Sequence, residues 1–546
     1  MSRPPALPAG IQSGARGDRE SPVLRLRPWA QPPQVWSPVD SFVYNFAANN
    51  VAVAFGIPLV AGAAVYYPVG SLSIAILVAG LACLAEALVY SFLVSSMPRN
   101  GGDYVFQNRL LGPTVATTVS FAGVVLGGAL WMGITGWFAA KVAVGPFLIM
   151  LGVKLDVHAV TAVGQWLFST GGVVVLGLLA VLWSSVVNIR GMVAYARVQR
   201  VLATVGLAAL LVLVAYFALT RLSVNQSVYR GMMLRAVEAG YGVQGRSDEL
   251  RAIVDLLPLA AFGLIYPGWV AFQAGEVRRS GSLRVQLATI TGSKALGIVF
   301  ALVVLPLPIH HVGEELFGAS VYLALRDPDA FWVLAPNLLA LNTAPWLSWI
   351  TLGLAAIAVN MWFWVWVPNH MLAASRVMLA MTWDRLLPRS MGTLHRRWGT
   401  PVRAILVFAA LSVVMVLAYA SLGVWDLALH ATLVNLIMFA VTCLGAAAFP
   451  FTRRELYRES TAARFEVMHV PLISVAAFVF IAFAGFVAWR YVTADALSAG
   501  VSLREIGFFL AAVYGTSLAL HLVLRRYRRT HESADIELYY RDTTRV

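Results

Sequence analysis

Charge is scarce in this chain: of 546 residues only 12% are Asp, Glu, Lys or Arg, against 59% hydrophobic. A water-soluble chain of this length carries roughly twice that charged share, so a string of ordinary soluble domains is excluded and lipid must solvate most of the surface. Cysteine occurs only as Cys83 and Cys443, each inside an apolar run. That leaves no disulfide framework, and both read as small core residues. The loops lack a glycine-rich phosphate loop, metal-ligand spacing and a nucleophile elbow. The apolar runs hold no paired His or Asp clusters, so an enzyme is not expected, nor any cofactor or metal. His310 and His311 beside Glu314 and Glu315 follow Pro306 and Pro308 at a helix exit. Adjacent histidines point apart on most backbones, and the group reads as a polar external turn.

What the chain does have is apolar length, with a mean hydropathy of +0.75. Several runs reach the 18 or so residues needed to cross about 30 Å of hydrocarbon. They predict an all-α polytopic membrane protein with twelve spans, at 41–65, 69–95, 113–145, 172–190, 198–219, 253–275, 285–309, 346–378, 401–420, 426–449, 470–491 and 504–524. The first 40 residues are polar, with Arg16, Arg19, Arg25 and Arg27 among Pro and Gly, and no apolar segment with a cleavage site precedes the first run. The expectation is a cytoplasmic tail without a cleavable signal peptide.

Basic residues orient the spans. With the N-terminus inside, the inner segments carry 28 Lys and Arg and the outer ones 9, while Lys141, Lys294 and Arg376 fall within or at the ends of helices. This bias predicts both termini on the cytoplasmic side of a cell membrane. It also removes nucleic acid as a partner, because the positive charge is spread over every inner loop.

Two spans contain breaks. The first, YNFAANNVAVAFGIPL, has Asn49 and Asn50 in an otherwise apolar run. Each unsatisfied polar group in hydrocarbon costs several kcal/mol, so these amides need a neighbouring helix, an unwound backbone or a ligand. In the sixth, LPLAAFGLIYPGWVAFQAGEVRRS, Pro267 removes a backbone donor and Gly268 adds freedom. Carbonyls from Phe262 to Leu264 and amides beyond Pro267 are then available at mid-membrane depth. The two breaks head two groups of five spans. An odd number per group inverts the second against the first, so the breaks would meet near the midplane. The expected units are a tail at 1–40, a five-helix repeat at 41–219, an external loop at 220–252, a second repeat at 253–449, two further helices within 450–524, and a tail at 525–546.

The segment AEALVYSFLVSSMPRNGGDYVFQNRLLGP, Ala85 to Pro113, resembles the join between helices 2 and 3 in the amino acid/polyamine/organocation family of permeases. SRVMLAMTWDRLLPRSMGTLHRRWGTPVRAI, Ser375 to Ile405, is similar to that family's helix 8 to helix 9 connection, and GEVRRS, Gly275 to Ser280, to its helix 6 ending. The likeness covers roughly residues 40 to 525. It implies the 5+5 inverted-repeat fold of that family, with two additional helices, and transport of an amino acid or related amine. By resemblance, Asn50, Val51, Ala52 and Val53 fall where unwound helix 1 receives a substrate carboxylate, with Asn49 beside them. Phe262, Gly263, Leu264, Ile265 and Tyr266 fall where helix 6 carbonyls bind the amino group, and Pro267 and Gly268 form the mobile joint. Helix termini suit a zwitterion in this way. The sequence departs from the pattern at Val51 and Val53, which replace glycines, and at Tyr266-Pro267-Gly268, which replaces an aromatic-x-Gly.

Other polar residues have assigned readings. Glu86 lies 12 residues before Pro98, about 18 Å along a helix, and is an intramembrane carboxylate with an anchoring role or one in coupling or gating. Some relatives carry a proton-linked lysine on the fifth helix where this chain has Gly206, and no clear Ser/Thr pair for sodium stands between Leu352 and Pro368. A coupling proton or Na+, exchange and uniport all stay open. Lys141 is expected in the last turn of the third span, snorkelling outward. Trp131, Trp137, Trp362, Trp364 and Trp366 read as packing or interfacial residues, with Trp131 the best site candidate among them. His430 and Asn435 are candidates to face the pathway, and Asp426 to cap the tenth span.

No charged residue lies in either broken stretch, which favours a neutral amino acid as substrate. The alternatives are a permease of the same fold for a nucleobase or other nitrogenous solute, and a membrane sensor that does not transport.

Overall fold

The structure is a computed structural model that describes residues 32–49, 69–221, 226–241, 248–266, 268–326, 345–421, 424–493 and 502–531. It is helical almost throughout. Among the described residues eleven helices are long and apolar enough to cross a membrane, and the molecule is a multi-pass membrane protein. Of the twelve expected spans, the first is described only from its start to Asn49. Its remainder, with Asn50, Val51, Ala52 and Val53, lies outside the described residues.

Helix α1 (Pro38–Ala48) opens with a reciprocal cap. Ser37 Oγ accepts from the Asp40 amide, and the Asp40 carboxylate accepts from the Ser37 amide at 3.0 Å. Proline follows the cap, where its missing N–H costs nothing. Helix α2 (Val69–Ser96) ends shortly before Pro98, and Gly101 and Gly102 then adopt positive φ, turning the chain into α3 (Asp103–Leu111). Glycine is required there, because a Cβ on Gly102 would also strike the Phe272 ring.

The third span is longer than expected: the helical run continues from Pro113 to Leu155. Two π-helical turns, Phe121–Leu126 and Ala139–Val144, flank α4 (Gly127–Phe138). The second π turn leads into Gly145-Pro146. A widened turn accommodates the bond that proline cannot donate, so the helix carries on where a proline would otherwise have ended it. Lys141 therefore sits in the middle of this run, not in a final turn, with its ammonium over the Phe168 ring at 4.8 Å.

Helix α5 (Thr170–Ile189) crosses α4 at glycine pairs, and a Cβ on Gly136 would lie 2.3 Å from the Val173 carbonyl oxygen. Small residues allow this approach, a common means of packing helices in lipid. Helix α6 (Met192–Leu219) lies along α9 (Pro345–Trp366), with Gly206 facing Met361 and Trp362. Between them come α7 (Glu249–Leu264) and α8 (Gly292–Val304), the latter preceded by a third π turn, Leu287–Thr291. Beyond α9 follow α10 (Pro368–Trp383) and α11 (Val424–Thr452). Helix α11 begins at Val424, so Asp426 falls within its first turn and not before it. An antiparallel pair, β1 (Glu466–Val467) and β2 (Val470–Pro471), closes at Met468 and His469, both at positive φ.

Candidate functional site

The sixth span is interrupted as its composition requires. Helix α7 stops at Leu264, and the chain resumes as two short 3-10 turns, Trp269–Phe272 and Ala274–Glu276. Pro267 lies outside the described residues. Residues just before a proline are driven from helical dihedrals, and glycine next to it gives no support to a new helix. Phe262, Gly263, Leu264, Ile265 and Tyr266 are all buried at this stop.

The Leu264 carbonyl, left without its helical donor, accepts a hydrogen bond at 2.8 Å from the ammonium of Lys294 on α8. The same ammonium donates to Asn49 Oδ1, at the last described residue of the first span. Lys294 thus joins the end of α1 to the stop of α7 while only 1% exposed. Neither broken stretch contributes a charge, as expected from their sequences, but the tertiary fold brings one from a third helix. Its signal was present as the only basic residue in the apolar run 285–309, and such a residue within a membrane is costly enough to demand a partner.

Asn45, which the sequence reading did not single out, completes the junction. Its amide nitrogen donates to the Thr289 carbonyl in the π turn at 2.9 Å, and its oxygen accepts from the Val270 amide at 3.0 Å. Asn49 donates in turn to the Asn45 carbonyl at 3.1 Å. Asn45 and Asn49 are four apart on one helix face, the spacing by which a pair of amides serves one junction. A π turn leaves carbonyls short of partners, which suits Thr289 to receive Asn45.

Aromatic rings enclose the other side of the break. Trp131 on α4 packs against Phe262 and Tyr266 at ring-centroid distances of 5.3 and 6.2 Å. Its indole N–H donates to Asn435 Oδ1 at 2.9 Å, and Asn435 donates to the Gly123 carbonyl in the first π turn. His370 on α10 stacks on Trp131 and meets Trp366 and Trp269 edge to face at 4.9 and 5.3 Å. Phe439 closes on Tyr266 at 5.8 Å. His430, also proposed for the pathway, instead lies against Phe509 of the last span. Trp362 packs with Phe46 and Phe300, and Trp364 with Trp183.

Glu86 on α2 is fully buried, and neither carboxylate oxygen has a hydrogen-bond partner among the described residues. It is close enough to Lys294 for their charges to interact. The described residues contain no cluster of three or more His, Cys, Asp or Glu suited to a metal.

Below the break, Arg376 forms a buried two-pronged ion pair with Glu276, which also accepts from the Asn100 amide at 3.0 Å. The Val35 and Trp36 amides donate to the Glu276 carbonyl, and Asn100 accepts from the Gly275 amide. The end of the interrupted span is thereby tied to the N-terminal segment, the turn before α3, and α10. Nearby, Asp103 accepts from Tyr90 and from Thr442, and burial pushes its carboxyl up to about 6. Burial also raises Asp384, which accepts from Tyr104 at 2.8 Å.

A family model described as "Amino acid permease" matches residues 43–496. No curated protein matches the chain detectably.

Proposed function

The chain belongs to the amino acid permease family, and from that premise we propose that it is a secondary active transporter of a neutral, zwitterionic amino acid. Membership implies a transporter of amino acids or related solutes rather than an enzyme. The finer reading is alternating access to a midplane site between the ends of α1 and α7, with 41–219 and 253–449 as inverted five-helix repeats and both termini in the cytoplasm.

The observation that carries this reading is the junction of Asn49, Leu264 and Lys294, where the end of α1 meets the freed Leu264 carbonyl at the stop of α7, in a region otherwise closed by aromatic rings. Broken backbone at membrane depth is tolerated where it is buried in protein or lines a cavity, and in transporters it faces the cargo. The substrate carboxylate is directed to the α1 side, and its ammonium to carbonyls from Phe262 to Tyr266 and to the faces of Trp131 and Tyr266. Charge arithmetic supports a zwitterion. The Lys294 ammonium stands on the α1 side and carbonyls with ring faces line the α7 side, so each charge of a zwitterion meets its opposite, whereas a substrate with a single charge leaves one side unmatched.

Purified protein in liposomes, offered radiolabelled amino acids, amines and nucleobases, tests the assignment. Leucine should be taken up ahead of 3-methylbutylamine, its decarboxylated analogue, and ahead of arginine. Preferential uptake of the amine or of a nucleobase would overturn it.

A further inference from the structure

The packing of α2 on α8 fixes where Glu86 sits. A Cβ on Gly80 would strike the Ile298 side chain, the Thr291 hydroxyl bonds the Ala87 carbonyl at 3.4 Å, and Ser91 donates to the Gln286 carbonyl at 3.1 Å. These contacts advance along α2 as they retreat along the π turn and α8, so the helices are antiparallel and in steady register. In that register Glu86 lies level with the turn that carries Lys294. A fully buried carboxylate without a hydrogen bond among the described residues therefore stands within electrostatic range of a fully buried ammonium whose two described acceptors, Asn49 Oδ1 and the Leu264 carbonyl, are both neutral.

An ammonium has three donors and a buried charge needs an opposite one nearby. Here the ammonium has a resident countercharge within electrostatic range but, among the described residues, no carboxylate bonded to it, and it holds the end of α1 to the stop of α7. We propose that Lys294 is the residue that binds the substrate carboxylate, and that substrate and Glu86 compete for its charge, so that carboxylate binding is linked to uptake of a proton by Glu86. The inference rests on the amino acid reading above and extends it to recognition and coupling.

The linkage follows from charge balance. In the proposed resting state the Glu86 carboxylate and the Lys294 ammonium offset each other between α2 and α8. A substrate carboxylate brought to Lys294 puts two anions about that one cation, while the substrate's own ammonium is held apart by the carbonyls and ring faces at the stop of α7. The repulsion is relieved when Glu86 takes a proton from the side to which the site is open, which leaves a neutral carboxylic acid beside a carboxylate–ammonium pair. No bond other than that O–H bond forms. By reciprocity, protonation of Glu86 raises affinity for the carboxylate by the same factor that the carboxylate raises affinity for the proton. The other ionisable groups close enough to act on Glu86 or Lys294 are Asp103 on α3, Cys83 and Tyr90 on α2, Tyr266 beside the break, and Cys443 on α11. Asp103 already has two hydroxyl partners, Tyr90 and Thr442. Glu86, which has none among the described residues, is the group that responds.

Titration calorimetry of the purified protein, run in two buffers of different ionisation heat, counts protons taken up on binding. Wild type should take up about one proton with leucine and none with 3-methylbutylamine. Glu86→Gln should bind leucine with no proton uptake. Lys294→Met should lose about 30-fold or more in leucine affinity, the worth of a charge-assisted hydrogen bond, while its affinity for the amine stays within about 3-fold of wild type. Equal loss of both ligands would assign Lys294 a purely structural role and overturn the proposal, as would leucine binding by Lys294→Met at wild-type affinity. Should Lys294→Met fail to fold, the proton count decides alone: no uptake by wild type at any pH, or unchanged uptake by Glu86→Gln, rejects the linkage. If wild type binds no amino acid at all, the underlying functional reading fails and this proposal with it. That result is distinct from leucine binding without proton uptake, which rejects the proposal alone.

Discussion

Arg376 and Glu276 form a parallel ion pair, Nε to Oε1 at 2.7 Å and Nη2 to Oε2 at 3.1 Å, with both side chains almost wholly removed from solvent. The pair joins α10 to the end of the interrupted span, and its Nη1 is taken by the Ser375 hydroxyl at 3.2 Å. Burying two charges is costly, and the interior repays the cost only when geometry is good and the remaining donors are satisfied, as here.

Removing one partner should therefore cost more than removing both. Glu276→Gln or Arg376→Met leaves a buried charge unpaired and should destabilise the fold by about 3–5 kcal/mol. Combining Glu276→Gln with Arg376→Met should recover part of that loss. Thermal unfolding of the purified variants in one detergent checks the order, and a double variant less stable than either single one would contradict it.

The break after Leu264 should be needed for transport but not for folding. Replacing Pro267 and Gly268 together by Ala favours a continuous helix, because alanine is the better helix former. A Cβ on Gly268 would come within 3.3 Å of the Tyr90 side chain, which has to give by a few tenths of an ångström. The expected outcome is monodisperse protein whose transport falls more than about tenfold. Transport at the wild-type rate would reduce the break to a packing kink.

Topology follows from the distribution of arginine. A single cysteine at Gly240, on the sparsely basic side, should react with an impermeant thiol reagent in intact cells, and one at Thr393, in an arginine-rich loop, should not. The reverse labelling would invert the assignment of both broken spans.

Asp103 gives a pH dependence with a definite sign. Its folded-state value of about 6 lies above the ordinary value of about 3.9, so the folded protein holds the proton more tightly than the unfolded chain. The contribution is fully present below about pH 4 and is lost as pH rises through about 6. Unfolding measured across that window should show stability falling on the order of 2 kcal/mol. Asp103→Asn should flatten the slope, and an unchanged slope in that variant would remove Asp103 as its source.

The sequence by itself determined the membrane class, most of the spans and the interruption of the sixth. Each depends on a property of one contiguous stretch: apolar length against hydrocarbon thickness, or proline followed by glycine within a helix. Where the local rule was incomplete, the expectation missed. The third span was expected to end at 145, but a π turn before Pro146 lets the run continue to Leu155. Residues that meet across the fold were beyond such rules. Lys294 reaches Asn49 over 245 positions, and Trp131 reaches Asn435 over 304. A lone lysine in an apolar run announces that a partner must exist, because an unpaired buried charge is too costly. Which helix supplies that partner depends on the register in which α2, α7 and α8 pack, and only the tertiary structure decides it.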